Sequence, residues 1–197
     1  MIIGIAGQMR TGKSTLAQML MREMFTDKTV QIKSFAEELR KEVAEAVFSH
    51  KQKHIAHFLF AEKETENKSA IRPLLQAFGQ AKRDMVDEDY WVDALVRNRL
   101  PTDVLIIDDV RHKNEADWVL DNGGILIRLH AQTSVLYDRG AQPERLAHYS
   151  ETAMQTPSDL ETEYPHRVLS LDTSGMSPLG MFKRLKPFLL EMIGDDE

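Results

Sequence analysis

The chain opens on an apolar run, Ile2-Ile3-Gly4-Ile5-Ala6, followed by the polar, glycine-bounded stretch 7–12. A run this short that ends on glycine predicts a buried strand. From Lys13 to Phe25 the apolar positions change period: Leu16, Met19, Leu20 and Met24 recur at helical spacing, so a helix follows the loop. Thr29 to Ile32 is a short β-branched strand. Phe35, Leu39, Val43 and Val47 then mark an amphipathic helix over Phe35 to Phe48 with mixed charge on its outer face. Lys51 to Lys68, rich in His, Lys and Glu, predicts a short helix and an exposed connection.

Helices are predicted over Ile71 to Gln80 and Tyr90 to Leu100, the second with Asp87 or Asp89 to cap it and Pro101 beyond its end. Val104-Leu105-Ile106-Ile107 is the strongest buried-strand signal. Asn114 to Asn122 reads as a helix closed by Gly123-Gly124, Ile125 to Leu129 as a strand and Arg167 to Leu171 as the last strand. Ser177-Pro178 opens a final helix, serine as cap and proline at its first position. Five strands alternating with helices predict an α/β fold: a three-layer α/β/α arrangement around a five-stranded parallel sheet. Ala131 to Pro165 is polar, arginine-containing and weakly periodic, and is expected to be a mobile lid.

Composition narrows this picture. With 197 residues and 42% hydrophobic content, one substantial core and a single domain over residues 1–197 are expected. The net charge of -6 disfavours a stable nucleic-acid partner, which normally demands a net-positive face. The lack of cysteine excludes disulfides, Cys-ligated zinc and thiol catalysis and is compatible with a cytoplasmic protein. No apolar run approaches the ~20 residues of a membrane span, and Ile2 to Ala6 is too short for a signal sequence, so a soluble chain is expected. Self-association into a homodimer stays open.

The chemistry is concentrated in two places. Gly7-Gln8-Met9-Arg10-Thr11-Gly12-Lys13-Ser14 satisfies G-x-x-x-x-G-K-[ST] at every defined position, between a predicted strand and a predicted helix, with Thr15 next in line. Glycines let the backbone curl until its N–H groups face phosphate oxygens, and the helix N-terminus adds partial positive charge. Lys13 is placed to reach the β and γ phosphates of ATP and Ser14 to ligate Mg2+. The second place is the carboxyl end of the strand Val104 to Ile107, where Asp108 and Asp109 offer a carboxylate for the metal, or else a turn-capping pair. Arg111 follows, either as a phosphate ligand or as half of a surface ion pair with Glu115. The spacings of His50, His54 and His57 would place them along one face of a helix, but interspersed lysines and the lack of an acidic partner in register argue against a metal site.

Further motifs carry a resemblance. Lys33-Ser34-Phe35-Ala36-Glu37-Glu38-Leu39-Arg40, Arg72-Pro73-Leu74-Leu75-Gln76-Ala77-Phe78-Gly79, Tyr90-Trp91-Val92, Asp109-Val110-Arg111 with Glu115, His148-Tyr149-Ser150-Glu151 and Asp172-Thr173-Ser174-Gly175 occur in this order. Together with the phosphate loop they resemble the phage-type deoxynucleoside monophosphate kinases over nearly the whole chain. Departures are His130, where that family often has arginine, Asp172, where asparagine is more usual, and a connection between Gly79 and Tyr90 one residue shorter.

The resemblance implies a P-loop kinase fold with an acceptor-binding helical region at about 34–100 and a lid at about 131–165. It implies transfer of the γ-phosphoryl of ATP to a deoxynucleoside monophosphate, in the host cytoplasm if the chain is phage-encoded. Lys13, Asp109, Arg111, Arg139 and Arg145 would then be catalytic. Phe35, Arg72, Gln76, Arg83, Trp91, Arg111 and Glu151 would meet the acceptor, and Ser14 with Asp108 or Asp109 would organise Mg2+. Phe35 and Trp91 can equally be plain core, and each arginine can be a surface residue. Three other functions stay open: a phosphomevalonate or dephospho-coenzyme-A type of kinase, a kinase of modified bases in DNA, and a nucleotide-binding protein without transfer activity.

Overall fold

The computed structural model describes residues 1–47, 66–146 and 158–194. Its elements in chain order are β1 (Ile2–Gly7), α1 (Lys13–Glu23), β2 (Val30–Lys33), α2 (Phe35–Val47), α3 (Glu66–Met85), α4 (Tyr90–Asn98), β3 (Val104–Val110), α5 (Lys113–Asp121), β4 (Ile125–His130), α6 (Thr133–Asp138), α7 (Pro143–Leu146), α8 (Ser158–Glu163), β5 (Val168–Asp172) and α9 (Pro178–Gly194). All five predicted strands form, each within a few residues of its expected ends. Two compact units emerge: residues 1–33 with 100–197, and residues 34–99.

The first unit holds the sheet. Its strands run in the order β2-β3-β1-β4-β5, and every neighbouring pair is parallel. The strands are buried on both faces, which is why they read as nearly continuous apolar runs rather than as alternating ones. Ile3, Ile5, Ile106, Ile125 and Ile127 point to one face, where Leu16, Ala17 and Leu20 of α1 and Phe182, Leu185 and Leu189 of α9 cover them. Each fully buried leucine in that layer contributes about 2 kcal/mol of apolar transfer. The other face meets α5 at Gly4: a Cβ there would lie 3.1 Å from Val119 and 3.2 Å from Leu126 and Val110. A side chain at position 4 would therefore have to displace the helix by tenths of an ångström.

β3 departs from regular pairing where it matters. Gly4 pairs with Ile107 and Ala6 with Val110, so two steps along β1 match three along β3. The extra residue falls at Asp108-Asp109. Bulges of this kind re-aim side chains at strand ends beside functional sites.

The second unit is built from α2, α3 and α4. Val43 anchors an apolar cluster with Leu39, Ala44, Ile71, Leu75 and Phe78. The indole N–H of Trp91 donates to the carbonyl of Gly79 at 3.0 Å, and a Cβ on Gly79 would crowd Leu39 at 3.1 Å. On the side of the unit, Lys82 reaches Glu42 at 2.5 Å and the Tyr90 hydroxyl at 3.1 Å, and that hydroxyl donates to Glu42 at 2.8 Å. α3 begins five residues before the expected Ile71 and passes through Pro73. Proline marks helix starts by statistics, but here the helix continues upstream of it through Glu66.

Candidate active site

The phosphate loop leaves β1 at Gly7, whose φ of 140° is open to glycine, and enters α1 at Gly12, with φ 100° and ψ 14°. Gly7 is also a place of close approach: a Cβ there would sit 2.1 Å from the Leu129 carbonyl oxygen of β4. Between the glycines, Arg10 takes a left-handed φ of 66°, which costs a non-glycine residue about 1 kcal/mol. Inside the loop Thr11 is buried and its hydroxyl donates to the Gln8 carbonyl at 2.8 Å. Lys13 as a residue is 9% exposed, and its ammonium donates to the carbonyls of Gly7 and Gln8, both at 2.7 Å. Ser14 and Thr15 stand exposed on the first turn of α1.

Beside the loop, the strand partner of β1 supplies the carboxylates. Asp108 is buried and Asp109 half-buried at the carboxyl end of β3, next to the pair Ala6–Val110 and thus beside the start of the loop. A hydroxyl and one or two carboxylates form an all-oxygen donor set, the type Mg2+ accepts when phosphate and water complete its octahedron. The residues present fit that ion in chemistry. Among the described residues no group of three or more His, Asp or Glu gathers as a self-sufficient metal cage.

Arg111 is half-buried directly after β3. Glu115, its surface ion-pair partner in the alternative reading of Arg111, is 1% exposed. Its carboxylate accepts the backbone N–H of Arg111 at 2.8 Å and of His112 at 3.1 Å, closing a capping box at the start of α5 in which the His112 side chain takes the Glu115 N–H. Arg111 lies before the helix, and the glutamate serves the backbone.

The stretch 131–146 packs against the loop. Leu136, Ala141 and Leu146 enclose a small apolar cluster that includes Met9. Arg139 donates from Nη1 to the Arg10 carbonyl and to the Thr173 hydroxyl, both at 3.2 Å, and from Nη2 to the Thr173 carbonyl at 2.6 Å. Thr173 is itself fixed on β4: its N–H and hydroxyl donate to the His130 carbonyl at 2.8 and 3.1 Å. Asp172 accepts the Ser174 N–H at 2.8 Å, and hydrogen bonding from Ser174 holds its carboxyl below the ordinary value. The sequence of the motif 172–175 points to no such role for Thr173. No local pattern could have supplied one, since its partners lie 34 and 43 residues away.

Of the remaining expected residues, Arg72, Gln76 and Arg83 are half-buried on α3 in the second unit, and Phe35 and Trp91 of that unit are buried at 3% and 2% exposure. Of Arg145 only the backbone, in α7, is described. Glu151, with the rest of the 148–151 motif, and His50, His54 and His57 lie outside the described residues. One polar group had drawn no attention in the sequence. Arg128 of β4 is 9% exposed and donates from Nη1 to Glu161 and Ser170, both at 3.2 Å, while its burial lowers the guanidinium pKa from its ordinary value.

With this geometry the sequence was compared with known proteins. A family model described as AAA domain matches residues 3–146, from β1 through the loop and the β3 carboxylates to α7. The chain belongs to that family. The match includes every described residue of the loop, both aspartates and Arg139 of this AAA domain. Among solved structures, TT1252 from Thermus thermophilus is 18% identical with a TM-score of 0.52, over 97% of each chain. The similarity extends to the fold over nearly the whole chain. A thymidylate kinase from Candida albicans is 16% identical (TM-score 0.48, 100% of this chain and 93% of that one), and shikimate kinase from Aquifex aeolicus vf5 is also 16% identical (TM-score 0.46, 100% and 98%). No curated protein matches the sequence significantly.

Proposed function

We propose that the chain is an ATP-dependent deoxynucleoside monophosphate kinase. The observation that carries the proposal is the loop itself: a backbone curled by Gly7 and Gly12 around the Lys13 ammonium, which it holds by two carbonyls, with Asp108-Asp109 at the end of the adjacent strand. Phosphoryl transfer asks little covalent chemistry of a protein; it asks that donor and acceptor phosphates be aligned and their charge offset. Lys13, the loop N–H groups and the start of α1 would hold the β and γ phosphates. Ser14 and Asp109, with Asp108 as the alternative, would hold Mg2+, which when bound supplies charge neutralisation on those phosphates. Arg111 would orient the acceptor phosphate, and Arg145 would bring late positive charge.

Acceptor binding falls in this proposal to Arg72, Gln76, Arg83 and Glu151, with the buried Phe35 and Trp91 lining the base pocket. The motif order from Lys33 to Gly175 supports a nucleoside monophosphate as acceptor. ADP release is measured with MgATP and each of the four common deoxynucleoside monophosphates, for wild type and Lys13→Ala. Turnover of at least one that falls by about 100-fold or more in the variant is expected. No turnover with any of the four would overturn the assignment, and turnover confined to a phosphorylated acceptor without a base would move it to another small-molecule kinase.

A further inference from the structure

We propose that Arg139 is a positioning residue for the phosphate loop: its guanidinium clamps the carbonyl of Arg10 to Thr173 and so sets the loop backbone that receives the donor phosphates. This rests on the loop being the phosphate site. It assigns Arg139 a task different from the catalytic one that the resemblance implied.

Three observations combine. Arg10 is, among the described residues, the non-glycine with positive φ, so its backbone needs outside support to stay where it is. That support reaches its carbonyl, which accepts from Arg139 Nη1 at 3.2 Å. The carbonyl of residue 10 and the N–H of Thr11 share one rigid peptide plane, so fixing the first fixes the direction of the second, which donates to the Gln8 carbonyl across the loop at 3.4 Å and so helps hold its curl. The other end of the fork is anchored rather than loose. Nη2 donates to the Thr173 carbonyl at 2.6 Å, and Thr173 is 2% exposed and bonded through both N–H and hydroxyl to His130 at the end of β4. Next to Arg10, Met9 is packed on Leu136, Ala141 and Leu146 of the same stretch that presents Arg139. Two consecutive loop residues are thus held by one segment, one by its side chain and one by its carbonyl.

The fork geometry sets the test. A guanidinium can bridge two carbonyls in one plane, whereas an ammonium is a point donor on a flexible stem. Inorganic tripolyphosphate with Mg2+ is the probe, because it reports the phosphate site without a base. Wild type, Arg139→Ala and Arg139→Lys are titrated with it, and backbone amide exchange is followed over residues 8–12. Both variants are expected to bind roughly tenfold more weakly, to raise the ATP KM by a similar factor with the acceptor KM unchanged, and to exchange faster in the loop.

Tripolyphosphate affinity and loop exchange unchanged in both variants would overturn the proposal. So would near-wild-type affinity in Arg139→Lys beside a loss in Arg139→Ala, since retained charge without the fork means direct contact with phosphate. A variant that fails to fold is replaced by Thr173→Val, which removes one acceptor of the clamp and is expected to shift affinity and exchange in the same direction; no shift counts against it. Wild type that fails to bind tripolyphosphate at all would instead refute phosphate binding by the loop.

Discussion

The carboxylate of Glu115 holds the backbone N–H of Arg111 at 2.8 Å, which ties the chain leaving β3 to the first turn of α5. At 1% exposure no water stands ready to replace that oxygen. Glu115→Ala is therefore expected to lower stability by about 2 kcal/mol, combining a lost cap with two unsatisfied N–H groups. Glu115→Gln keeps an acceptor oxygen and should lose less than half as much. Urea unfolding of the two variants checks the order; an alanine variant as stable as wild type would remove the capping account.

Gly7 and Gly12 both have positive φ, yet they should respond differently to alanine. At Gly7 the added Cβ would meet the Leu129 carbonyl oxygen at 2.1 Å, an atom of a central strand that cannot yield, while at Gly12 the nearest atom is the Met181 methyl at 3.4 Å. Gly7→Ala is expected to abolish binding of MgATP and to lower the thermal midpoint. Gly12→Ala should carry mainly the conformational cost of about 1 kcal/mol. Equal effects on ATP titration and on melting would show that the contact with β4 is immaterial.

Asp108 and Asp109 differ in exposure, the first buried and the second half-buried. If Asp109 organises the metal, Asp109→Asn should raise the Mg2+ concentration for half-maximal turnover and reduce kcat by about 100-fold, leaving the melting midpoint near wild type. Asp108→Asn should show the opposite balance. Magnesium titrations of turnover, paired with thermal unfolding, read both halves; the reverse pattern would transfer the role to Asp108.

The Tyr164 hydroxyl donates to Asp121 at 2.7 Å, and that bond to a carboxylate pushes its pKa from 10.0 up to about 12. A raised folded-state pKa favours the protonated form, so this contribution to stability is complete below pH 10 and fades as pH rises toward 12. Tyr164→Phe should accordingly be less stable than wild type at neutral pH, with the gap narrowing above pH 10. Denaturation curves at several pH values measure this, and a gap that widens in alkali would contradict the assigned bond.

Much of the first unit was legible in the sequence because its signals are local. Strands buried on both faces leave apolar runs such as Val104 to Ile107, and the loop motif specifies both its residues and its neighbours. The cap of α9 was equally plain: Ser177 accepts the Gly180 N–H at 3.1 Å, as serine before proline implied. What stayed hidden depends on partners far along the chain. Arg128 interrupts Ile125 to Leu129 as one polar residue, and its burial makes sense only through Glu161 and Ser170, 33 and 42 residues on. Trp91 offered either a pocket or a core, and only the Gly79 carbonyl shows the indole N–H engaged inside the unit. The bulge at Asp108-Asp109 left no trace in composition, because it is a relation between two strands.

Lys13 donates to two carbonyls of the loop it serves, Gly7 and Gln8, each at 2.7 Å. A free lysine side chain carries about 2 kcal/mol of rotamer entropy. In this chain that freedom is surrendered when the polypeptide folds, so under the proposed function an arriving phosphate would meet an ammonium already ordered and exchange one set of oxygens for another. Affinity at the loop would then be a difference between two sets of hydrogen bonds, which would let a highly charged ligand be released as well as bound.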